Sequence, residues 1–420
     1  MTINKSSINV NELFTKAKNY SNSNDLDKAL LIYDEIISIK PNFVDAFLNR
    51  GVILCKLMRF LEGLKDFDLV IKLKPNYVTA FNNRGNALTE LGRFDEAIES
   101  YDQAIKIDPN YADALTNIAI IKLLLGEYKE GWKLFEWRWK GPQKKDYRDF
   151  KKPLWLGSES IQDKTILVSA EQGLGDFIQF YRYCELLEKL GAKILLETPK
   201  EFFHLIKSQN KKNNIIKKGK PLPKFDFYCP IMSLPLAFKT TLKSIPLSVP
   251  YIKSNPDRSE LWKLKLGPKK NLRIGIAWSG AKNYGTDNIR SLRLEQFASL
   301  FDLPFNFYSL HKEVRNIDKN FLSQSKNIYD YHKEIEDFSD TAALIIEMDI
   351  VISVDTSVAH LTGALDKPLW ILLPYVADYR WMIDRIDSPW YSSATLFRQK
   401  EINNWDSVIL SILRSLRTYI

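Results

Sequence analysis

The first third of the chain repeats one pattern of apolar and small residues every 34 positions. Pro41, Pro75 and Pro109 stand 34 residues apart, and an asparagine follows each of them. This period is typical of tetratricopeptide repeats, in which each copy is a hairpin of two antiparallel helices. The aligned positions of the three copies are Leu13, Ala17, Tyr20, Ala29, Tyr33 and Ile36; Phe47, Gly51, Leu54, Gly63, Phe67 and Val70; and Phe81, Gly85, Leu88, Ala97, Tyr101 and Ala104. The pattern predicts a helical solenoid over residues 8–140.

The repeated residue types have a physical reason. Small residues such as Gly85 and Ala97 let two helices approach closely, while Phe81 and Tyr101 fill the groove between successive hairpins. A fourth copy begins at Tyr111 and has no closing proline; it ends in the aromatic-rich run 131–139. That run is expected to cap the solenoid, to dock it against the following domain, or to do both.

After a Lys- and Pro-containing stretch, expected to be a linker over residues 141–160, strands alternate with helices. Short apolar runs predict parallel strands at residues 165–170, 193–197, 273–278, 305–310, 350–354 and 368–373. A helix is expected over residues 177–190. The alternation predicts two Rossmann-like lobes, 161–255 and 271–420, with ligands at the carboxyl ends of the strands. The expected fold class is therefore an α-helical solenoid followed by a pair of α/β lobes.

Composition supports a folded chain of several domains. The 420 residues are 45% hydrophobic, and the net charge is +9, which favours anionic partners. No aromatic-interleaved nucleic-acid module accompanies the lysine clusters at residues 140–152 and 207–220, so they are interpreted as solvated surface and no nucleic-acid partner is expected. A peripheral contact with an anionic membrane stays open.

Cysteines and histidines bear on compartment and metal content. The three cysteines are scattered, the four histidines lack metal-ligand spacing, and neither a signal peptide nor a transmembrane segment is apparent. These features predict a cytoplasmic protein without a metal site.

Three strand-to-helix loops carry candidate chemistry. The first holds Gly173, Gly175 and Asp176, where glycines permit close backbone approach and a helix N-terminus offers N–H groups to an anion. Packing alone also explains Gly-x-Gly at such a turn, and Asp176 could simply cap the helix.

The second loop follows the apolar run 350–354 and opens a helix. Asp355, Thr356, Ser357 and the backbone amides are suited to a diphosphate. Helix capping by Asp355 or Thr356 is the structural alternative, and His360, one turn further on, is either a ligand-binding or a satisfied core histidine.

The third loop contains Trp278 and Ser279, with Lys282, Arg290 and Arg293 nearby. His311 and Lys312 follow the next strand in the same manner. Polar loops at strand ends are commonly solvent-exposed segments without a binding role, but cationic groups at this place in the topology are also suited to binding a phosphate.

Several runs together resemble glycosyltransferase family 9, the heptosyltransferases. They are Ala170–Phe180 with Gly173-Leu174-Gly175-Asp176, Asp337–Leu344, and Ser353–Leu361 with Asp355, Thr356, Ser357 and His360. The runs 131–139 and 378–391 are similar to those of bacterial proteins that fuse tetratricopeptide repeats to such a transferase. The resemblance covers essentially the whole chain.

The resemblance implies a GT-B fold with the acceptor on the first lobe and a nucleotide-sugar on the second. It also implies inversion at the anomeric carbon without a metal, with Asp176 as the base and Asp355, Thr356, Ser357 and His360 at the donor phosphates. The remaining residues assigned to the two substrates are Trp278, Ser279, Lys282, Arg290, His311 and Lys312 on the donor side and Gly173, Gly175 and Gln179 on the acceptor side. No cofactor is expected beyond the nucleotide-sugar co-substrate.

Two features depart from that family. Heptosyltransferases lack the repeat arm, and the glutamate that binds the donor ribose has no firm match here, Glu334 being one candidate. The expected function is sugar transfer to a glycan or protein acceptor, with the repeat groove recruiting the acceptor or a partner protein. The alternative is a non-catalytic repeat scaffold with a degenerate transferase fold.

Overall fold

The computed structural model describes residues 9–210, 212–281 and 287–420. These divide into two compact units. The first contains the chain up to Lys122 together with Leu134–Lys145, and the second contains Leu123–Lys133 and the chain from Asp146 onwards.

The first third of the chain folds into successive helices. They are α1 (Val10–Asn22), α2 (Leu26–Ile39), α3 (Val44–Lys56), α4 (Phe60–Leu73), α5 (Val78–Glu90), α6 (Phe94–Ile107), α7 (Ala112–Leu124) and α8 (Tyr128–Phe135). Each of α2, α4 and α6 ends two residues before one of the repeated prolines, because proline cannot continue a helix and disfavours helical backbone before it.

The small residues of the repeat are required by close packing. A Cβ on Gly85 would lie 2.5 Å from the Tyr101 ring, and one on Gly51 would lie 2.6 Å from the Phe67 ring. Both distances are well below van der Waals contact, so the glycines let the aromatic rings pack closely against the neighbouring helix. The predicted role of Gly85 is confirmed.

Ion pairs also recur with the 34-residue period. The Arg50 guanidinium binds Asp34 at 2.7 Å and Asp66 at 2.6 Å. Arg84, one repeat later, binds Asp68 at 2.7 Å. Each arginine therefore reaches back 16 residues to the second helix of the preceding hairpin and joins neighbouring repeats.

The second unit contains two sheets, and the described strands pair in parallel. The first consists of β1 (Thr165–Ser169), β2 (Lys193–Thr198), β3 (Asn214–Lys217) and β4 (Phe227–Pro230), in the order β3-β2-β1-β4. The second consists of β5 (Arg273–Ala277), β6 (Asn306–Ser309), β7 (Ile328–Asp330), β8 (Ile350–Val354), β9 (Leu369–Leu373) and β10 (Ala394–Arg398), in the order β10-β9-β8-β5-β6-β7.

The order of the second sheet is that of the Rossmann fold. Numbered from its own first strand, the sheet runs 3-2-1-4-5-6, so the direction of winding reverses between β5 and β8. The first sheet, 3-2-1-4 on the same scheme, reverses between β1 and β4. Ligands of such sheets bind outside the carboxyl ends of the strands at the reversal.

Helices flank the two sheets. They are α9 (Leu174–Tyr181), α10 (Cys184–Lys189), α11 (Phe203–Gln209), α12 (Leu234–Ala237), α13 (Pro256–Leu266), α14 (Asp287–Arg290), α15 (Asn316–Gln324), α16 (Phe338–Ile346), α17 (Ser357–Ala364) and α18 (Trp405–Leu416). The fold class expected from the sequence, a helical solenoid followed by two parallel α/β sheets, is confirmed.

The helix predicted over 177–190 is interrupted after Tyr181. The carbonyl of Gln179, which a continuous helix would offer to the Tyr183 N–H, accepts from Arg182 Nε at 2.9 Å. The Tyr183 N–H instead donates to the Phe180 carbonyl at 3.1 Å. The Arg182 side chain thus competes for the helical hydrogen bond, and the chain restarts as α10.

Part of the stretch predicted as a linker is packed in the second unit. Trp155 is 2% exposed, and Leu154 forms a parallel bridge with Tyr228.

Within the described residues, no helix combines the length and the apolar character needed to cross a bilayer.

Candidate functional site

The candidate site is built from loops that leave the two sheets at their winding reversals. The loop after β1 enters α9 at Gly173, and the loop after β8 enters α17 at Thr356. The loop after β5 contains Ser279 and Gly280. All three are at the carboxyl ends of parallel strands, where the topology places ligands.

Asp176, the predicted base, lies in the first turn of α9 and is 8% exposed. One carboxylate oxygen accepts from the Gly173 N–H at 2.7 Å. The other binds the Arg380 guanidinium. Both the predicted capping role and a buried ion pair are therefore present.

Arg380 lies at the centre of a cluster of buried charges. It donates to Asp176, to the Gln179 side-chain carbonyl and, at 2.6 Å, to Asp378. Burial by itself lowers the Arg380 pKa, but the charges of Asp378, Asp176 and Asp355 raise it well above its usual value. Arg380 is thus permanently cationic and holds together carboxylates from both sheets.

Burial has the opposite effect on Asp378. It raises the pKa of this carboxyl group, the Arg380 charge opposes that shift, and the neighbouring Asp355 and Asp176 charges add to it. One arginine is therefore shared by carboxylates that repel one another, and removing it would leave them unbalanced.

Helices α9 and α17 touch at Gly175 and His360. A Cβ on Gly175 would lie 2.6 Å from His360 Cδ2, so only glycine permits this approach. The His360 ring is 4% exposed and stacks on Trp381 with centroids 5.4 Å apart. Its Nδ1 lies 2.8 Å from the Tyr391 hydroxyl. Of the two interpretations of His360, the satisfied core histidine matches this geometry.

Asp355 lies beside the same histidine. Its carboxylate is 3.5 Å from His360 Nε2. Burial would raise the Asp355 pKa, but the hydrogen bond and charge of His360 and the charges of Arg290 and Arg380 outweigh it, lowering the pKa to about 2. Asp355 is therefore ionised and acts as the counter-charge of the cations around it.

The first turn of α17 keeps its hydrogen-bonding capacity. Thr356 occupies the N-cap position, but its side chain makes no cap hydrogen bond and instead lies 3.1 Å from the Ser353 hydroxyl. Among the described residues, neither Asp355 nor Thr356 caps the N–H groups of the first turn with its side chain. Such N–H groups have no hydrogen-bond partner within a helix. Arg290 Nη1 donates to the Asp355 carbonyl at 2.9 Å, which places a cation beside this turn. Ser357 is partly exposed at its start.

Three other predicted residues bind partners outside this cluster. The Trp278 ring is fully buried and donates to Asp318 at 2.9 Å, so it packs in the core of its sheet. His311 Nε2 accepts from the Trp278 backbone N–H at 3.1 Å. Lys312 donates to the Glu336 carbonyl. Lys282 lies outside the described residues.

His311 is electrically neutral in this setting. Burial, and then the nearby Arg315 charge, lower its pKa to about 3. A neutral imidazole that accepts a backbone hydrogen bond orders the loop after β5 but contributes no positive charge to an anion.

The residues that join the two lobes, above all Arg380, were not predicted from the sequence. Its neighbours Gln179 and Trp381 are both fully buried, and Gln179 Nε2 and Trp381 Nε1 have no hydrogen-bond partner in the described part of the chain. Buried donors of this kind are normally paired. The available signal was the run Asp378-Tyr379-Arg380-Trp381, where two charged residues stand among aromatic ones.

Arg182 and Trp390 form a second link within this unit. Arg182 Nη1 donates to the Trp390 carbonyl at 2.8 Å, and the Trp390 indole donates to the Tyr128 hydroxyl at 3.1 Å. Trp132 packs edge-to-face against Phe180 and Trp390. The start of α8 therefore shares a core with the residues that follow Arg380.

Metal-ligand side chains do not gather in threes anywhere in 9–210, 212–281 or 287–420. The chemistry that the cluster offers comes from N–H groups, arginines and carboxylates. Such a set is suited to binding an anion and to taking up a proton.

Comparison with known families identifies the first third. A TPR repeat model matches residues 85–126, and a tetratricopeptide repeat model matches residues 13–43. Together with the observed helical hairpins, these matches show that the chain contains tetratricopeptide repeats.

One relative extends beyond the repeats. Protein FlbA of Caulobacter vibrioides (strain ATCC 19089 / CIP 103742 / CB 15) is 24% identical over 340 residues. The match covers 72% of this chain and 54% of FlbA, so the chain spans about half the length of that protein.

Three solved structures that are similar to this chain align with a third of it or less. The crystal structure of MamA is 22% identical, with a TM-score of 0.30, and the match covers 33% of this chain and 81% of MamA. The first TPR domain of Spaghetti (RPAP3), bound to an HSP90 peptide, is 24% identical, with a TM-score of 0.26 and coverage of 26% and 86%. The TPR domain of Arabidopsis OM64 is 21% identical, with a TM-score of 0.25 and coverage of 26% and 89%.

Proposed function

We propose that the second unit is an inverting, metal-independent glycosyltransferase of the GT-B type, similar to family 9, which moves a sugar from a nucleotide-sugar to a glycan or protein acceptor. One observation carries the proposal. The Asp176 carboxylate of the first lobe and the first turn of α17 in the second lobe lie on either side of the Gly175–His360 contact, both at winding reversals. A base and an anion site are thus neighbours.

The donor diphosphate would bind at the start of α17. The first-turn N–H groups are not capped by Thr356, Ser357 is partly exposed, and Arg290 lies alongside. Helix N-termini and arginines are the groups that proteins use to hold phosphates, and both act on a leaving diphosphate as its charge develops.

Asp176 would accept the proton from the attacking hydroxyl group of the acceptor. The acceptor oxygen forms a bond to the anomeric carbon from the face opposite the diphosphate, and the bond between that carbon and the phosphate oxygen breaks. The electron pair of the broken bond leaves with the nucleoside diphosphate, which the N–H groups and Arg290 stabilise. The proton ends on the Asp176 carboxylate.

In this mechanism Arg380 would control when Asp176 can act as a base. Both Asp176 oxygens are engaged, one by Gly173 and one by Arg380. A bound diphosphate, carrying two or more negative charges, would compete for the Arg380 guanidinium and free one oxygen of Asp176 to accept the proton. Donor binding would then activate the base.

The repeat arm would recruit the acceptor or a partner protein. Tetratricopeptide repeats stack into an extended surface of the kind that binds protein segments, and the RPAP3 repeat domain similar to this one holds a peptide. Mass spectrometry of a co-expressed candidate protein would distinguish a protein acceptor, which gains the mass of one sugar, from a glycan acceptor.

A thermal-shift panel of UDP-, GDP-, ADP- and CMP-sugars tests donor binding. A donor present at about 100 times its Kd stabilises the folded state by about 2.7 kcal/mol. Arg290→Gln should abolish the shift for the active donor, whereas Arg293→Gln, a neighbouring exposed arginine that pairs with Glu295, should preserve it. A shift that Arg290→Gln leaves unchanged would place the donor elsewhere.

The second candidate function is a non-catalytic scaffold, and the double engagement of Asp176 favours it. A carboxylate tied to Arg380 and to a backbone N–H serves equally well as a structural link between the sheets. The same panel separates the two functions, because the melting temperature of a scaffold would not change with any of the nucleotide-sugars.

A further inference from the structure

A cavity that is open to solvent lies in the first lobe, at the amino ends of its strands. Its volume is about 590 Å³, and it is lined by the first residues of three strands, Thr165 of β1, Lys193 of β2 and Asn214 of β3. The loop that leads to Asp176 leaves the carboxyl end of β1, in the same sheet. Because the strands of this sheet are parallel, the cavity opens at the opposite end of the strands and is a separate site.

The cavity wall is cationic. Lys193, Lys212 and Lys224 line it, and Glu188 is its single acidic side chain. Glu188 is already engaged, since it accepts from the Asn213 side-chain amide at 2.5 Å. The cavity lining therefore carries a net positive charge, and its single carboxylate already accepts a hydrogen bond.

These lysines also lack partners within the protein. Across residues 9–210, 212–281 and 287–420, no ion pair or hydrogen bond is formed by their ammonium groups, all of which are exposed. Elsewhere, lysines such as Lys189 and Lys269 pair with a nearby carboxylate at 2.7 and 2.6 Å. Three lysines without a partner therefore line one cavity, and an anion bound there would neutralise their charge.

The charge of the whole lobe points the same way. Residues 161–255 contain 15 lysines and arginines and eight aspartates and glutamates, so this stretch carries +7 of the chain's net charge of +9. A local excess of this size draws anions toward the lobe from a distance of about one Debye length, ~8 Å at physiological salt.

We infer that this cavity binds a phosphate ester. Lysine ammonium groups are point-charge binders of phosphate, and the Asn214 side-chain amide on the wall offers N–H donors. The volume accommodates a small phosphorylated molecule or a lipid phosphate headgroup. The alternative role of the lysines is structural, because α10 ends at Lys189 beside the cavity and cations offset the negative end of a helix.

The lobe offers a local probe for the test. Ile194, on β2, lines the cavity, whereas Ile409, on α18, belongs to the core of the other sheet. Methyl NMR of the full chain with added inorganic pyrophosphate should show a saturable shift of the Ile194 methyl group and none at Ile409. The triple variant Lys193→Gln, Lys212→Gln and Lys224→Gln should weaken binding at Ile194 by about ten-fold or more, at about 0.5 kcal/mol per lysine.

A matched variant controls for the overall charge. Lys220, Lys243 and Lys253 are exposed lysines of the same lobe outside the cavity lining, and their replacement by glutamine removes the same three charges. This control should change the affinity less than three-fold. Equal losses in the two triple variants, or no shift at Ile194 with pyrophosphate or vesicles, would overturn the inference and leave the lysines their structural role.

Vesicle flotation distinguishes the two sources of phosphate. Binding to phosphatidylglycerol vesicles but not to phosphatidylcholine vesicles, lost in the cavity variant and retained in the control, identifies a lipid headgroup. A pyrophosphate-induced shift without flotation identifies a soluble phosphate ester. Either result supports the phosphate site, and both measurements are independent of sugar transfer.

Discussion

Arg380 and Asp176 are 204 residues apart in the sequence and form a buried ion pair. Asp176 lies on the helix that follows the first strand of the first sheet, and Arg380 follows β9 of the second sheet. The same guanidinium also binds Gln179 and Asp378. A single cation thus links the candidate base to the lobe proposed to hold the donor.

Replacing Arg380 by alanine should destabilise the second unit by about 3–5 kcal/mol, because it leaves buried carboxylates at Asp176 and Asp378 without their counter-charge. Urea unfolding followed by tryptophan fluorescence measures the loss. Arg385→Ala removes an exposed pair with Asp387 and should cost less than about 1 kcal/mol. Equal costs for the two variants would mean that the buried network contributes nothing beyond a surface pair.

The Gly175–His360 contact predicts a specific coupling. Gly175→Ala places a methyl group 2.6 Å from the His360 ring and should cost about 1–3 kcal/mol through overpacking. In a His360→Ala background the same change should cost at least about 1 kcal/mol less, because the clash is gone. A double-mutant cycle on the free energy of unfolding measures the difference, and additive costs would show that the helices do not meet at this contact.

His311 should make stability depend on pH. Its pKa is lowered to about 3 by burial and by Arg315, whereas the unfolded chain titrates it near 6.5. Below about pH 6.5 the unfolded state therefore binds a proton at His311, whereas the folded state does not. The free energy of unfolding falls as the pH drops toward 3. The contribution lost at pH 5 is about 2 kcal/mol.

The variant His311→Gln should flatten this dependence between pH 7 and pH 5. His204, an exposed histidine of the first lobe, provides the control, and His204→Gln should leave the slope as in the parent. The free energy of unfolding at both pH values gives the readout. An unchanged slope in His311→Gln would mean that the ring is protonated in the folded state.

The repeat helices provide a prediction for the first unit. Gly85→Ala would bring a Cβ within 2.5 Å of the Tyr101 ring and should lower the free energy of unfolding by about 1–3 kcal/mol. Glu99→Ala changes an exposed position of α6 and should stay within about 0.5 kcal/mol. Thermal denaturation followed by circular dichroism compares them. A neutral Gly85→Ala would contradict the close packing of the ring on α5.

Local signals predicted the repeats and all six interior strands. Pro41, Pro75 and Pro109 mark the helix ends, and the predicted apolar runs became β1, β2, β5, β6, β8 and β9 within a residue or two. The four edge strands, β3, β4, β7 and β10, were missed. Short strands of four or so residues carry little periodicity, and a strand such as Asn214–Lys217 is defined by its partner β2 rather than by its own composition.

The candidate site was predictable only in part. Gly175 and Asp176 predict one strand-to-helix turn, and the run from Asp355 to His360 predicts another, because local sequence determines such turns. The partners of these residues come from far along the chain. Arg380 reaches Asp176, and Tyr391 reaches His360, through tertiary packing that no local pattern encodes. For the same reason the burial of Trp278 was not foreseen.

The most direct measurement of the central claim compares turnover and donor affinity in Asp176→Asn and the parent chain. The probe is the nucleotide-sugar that stabilises the parent in the thermal-shift panel. Release of nucleoside diphosphate reports turnover, and calorimetric titration reports affinity. The account predicts that turnover falls by at least about 100-fold, the range expected for a general base, while donor affinity stays within about three-fold. Turnover retained in Asp176→Asn would contradict it.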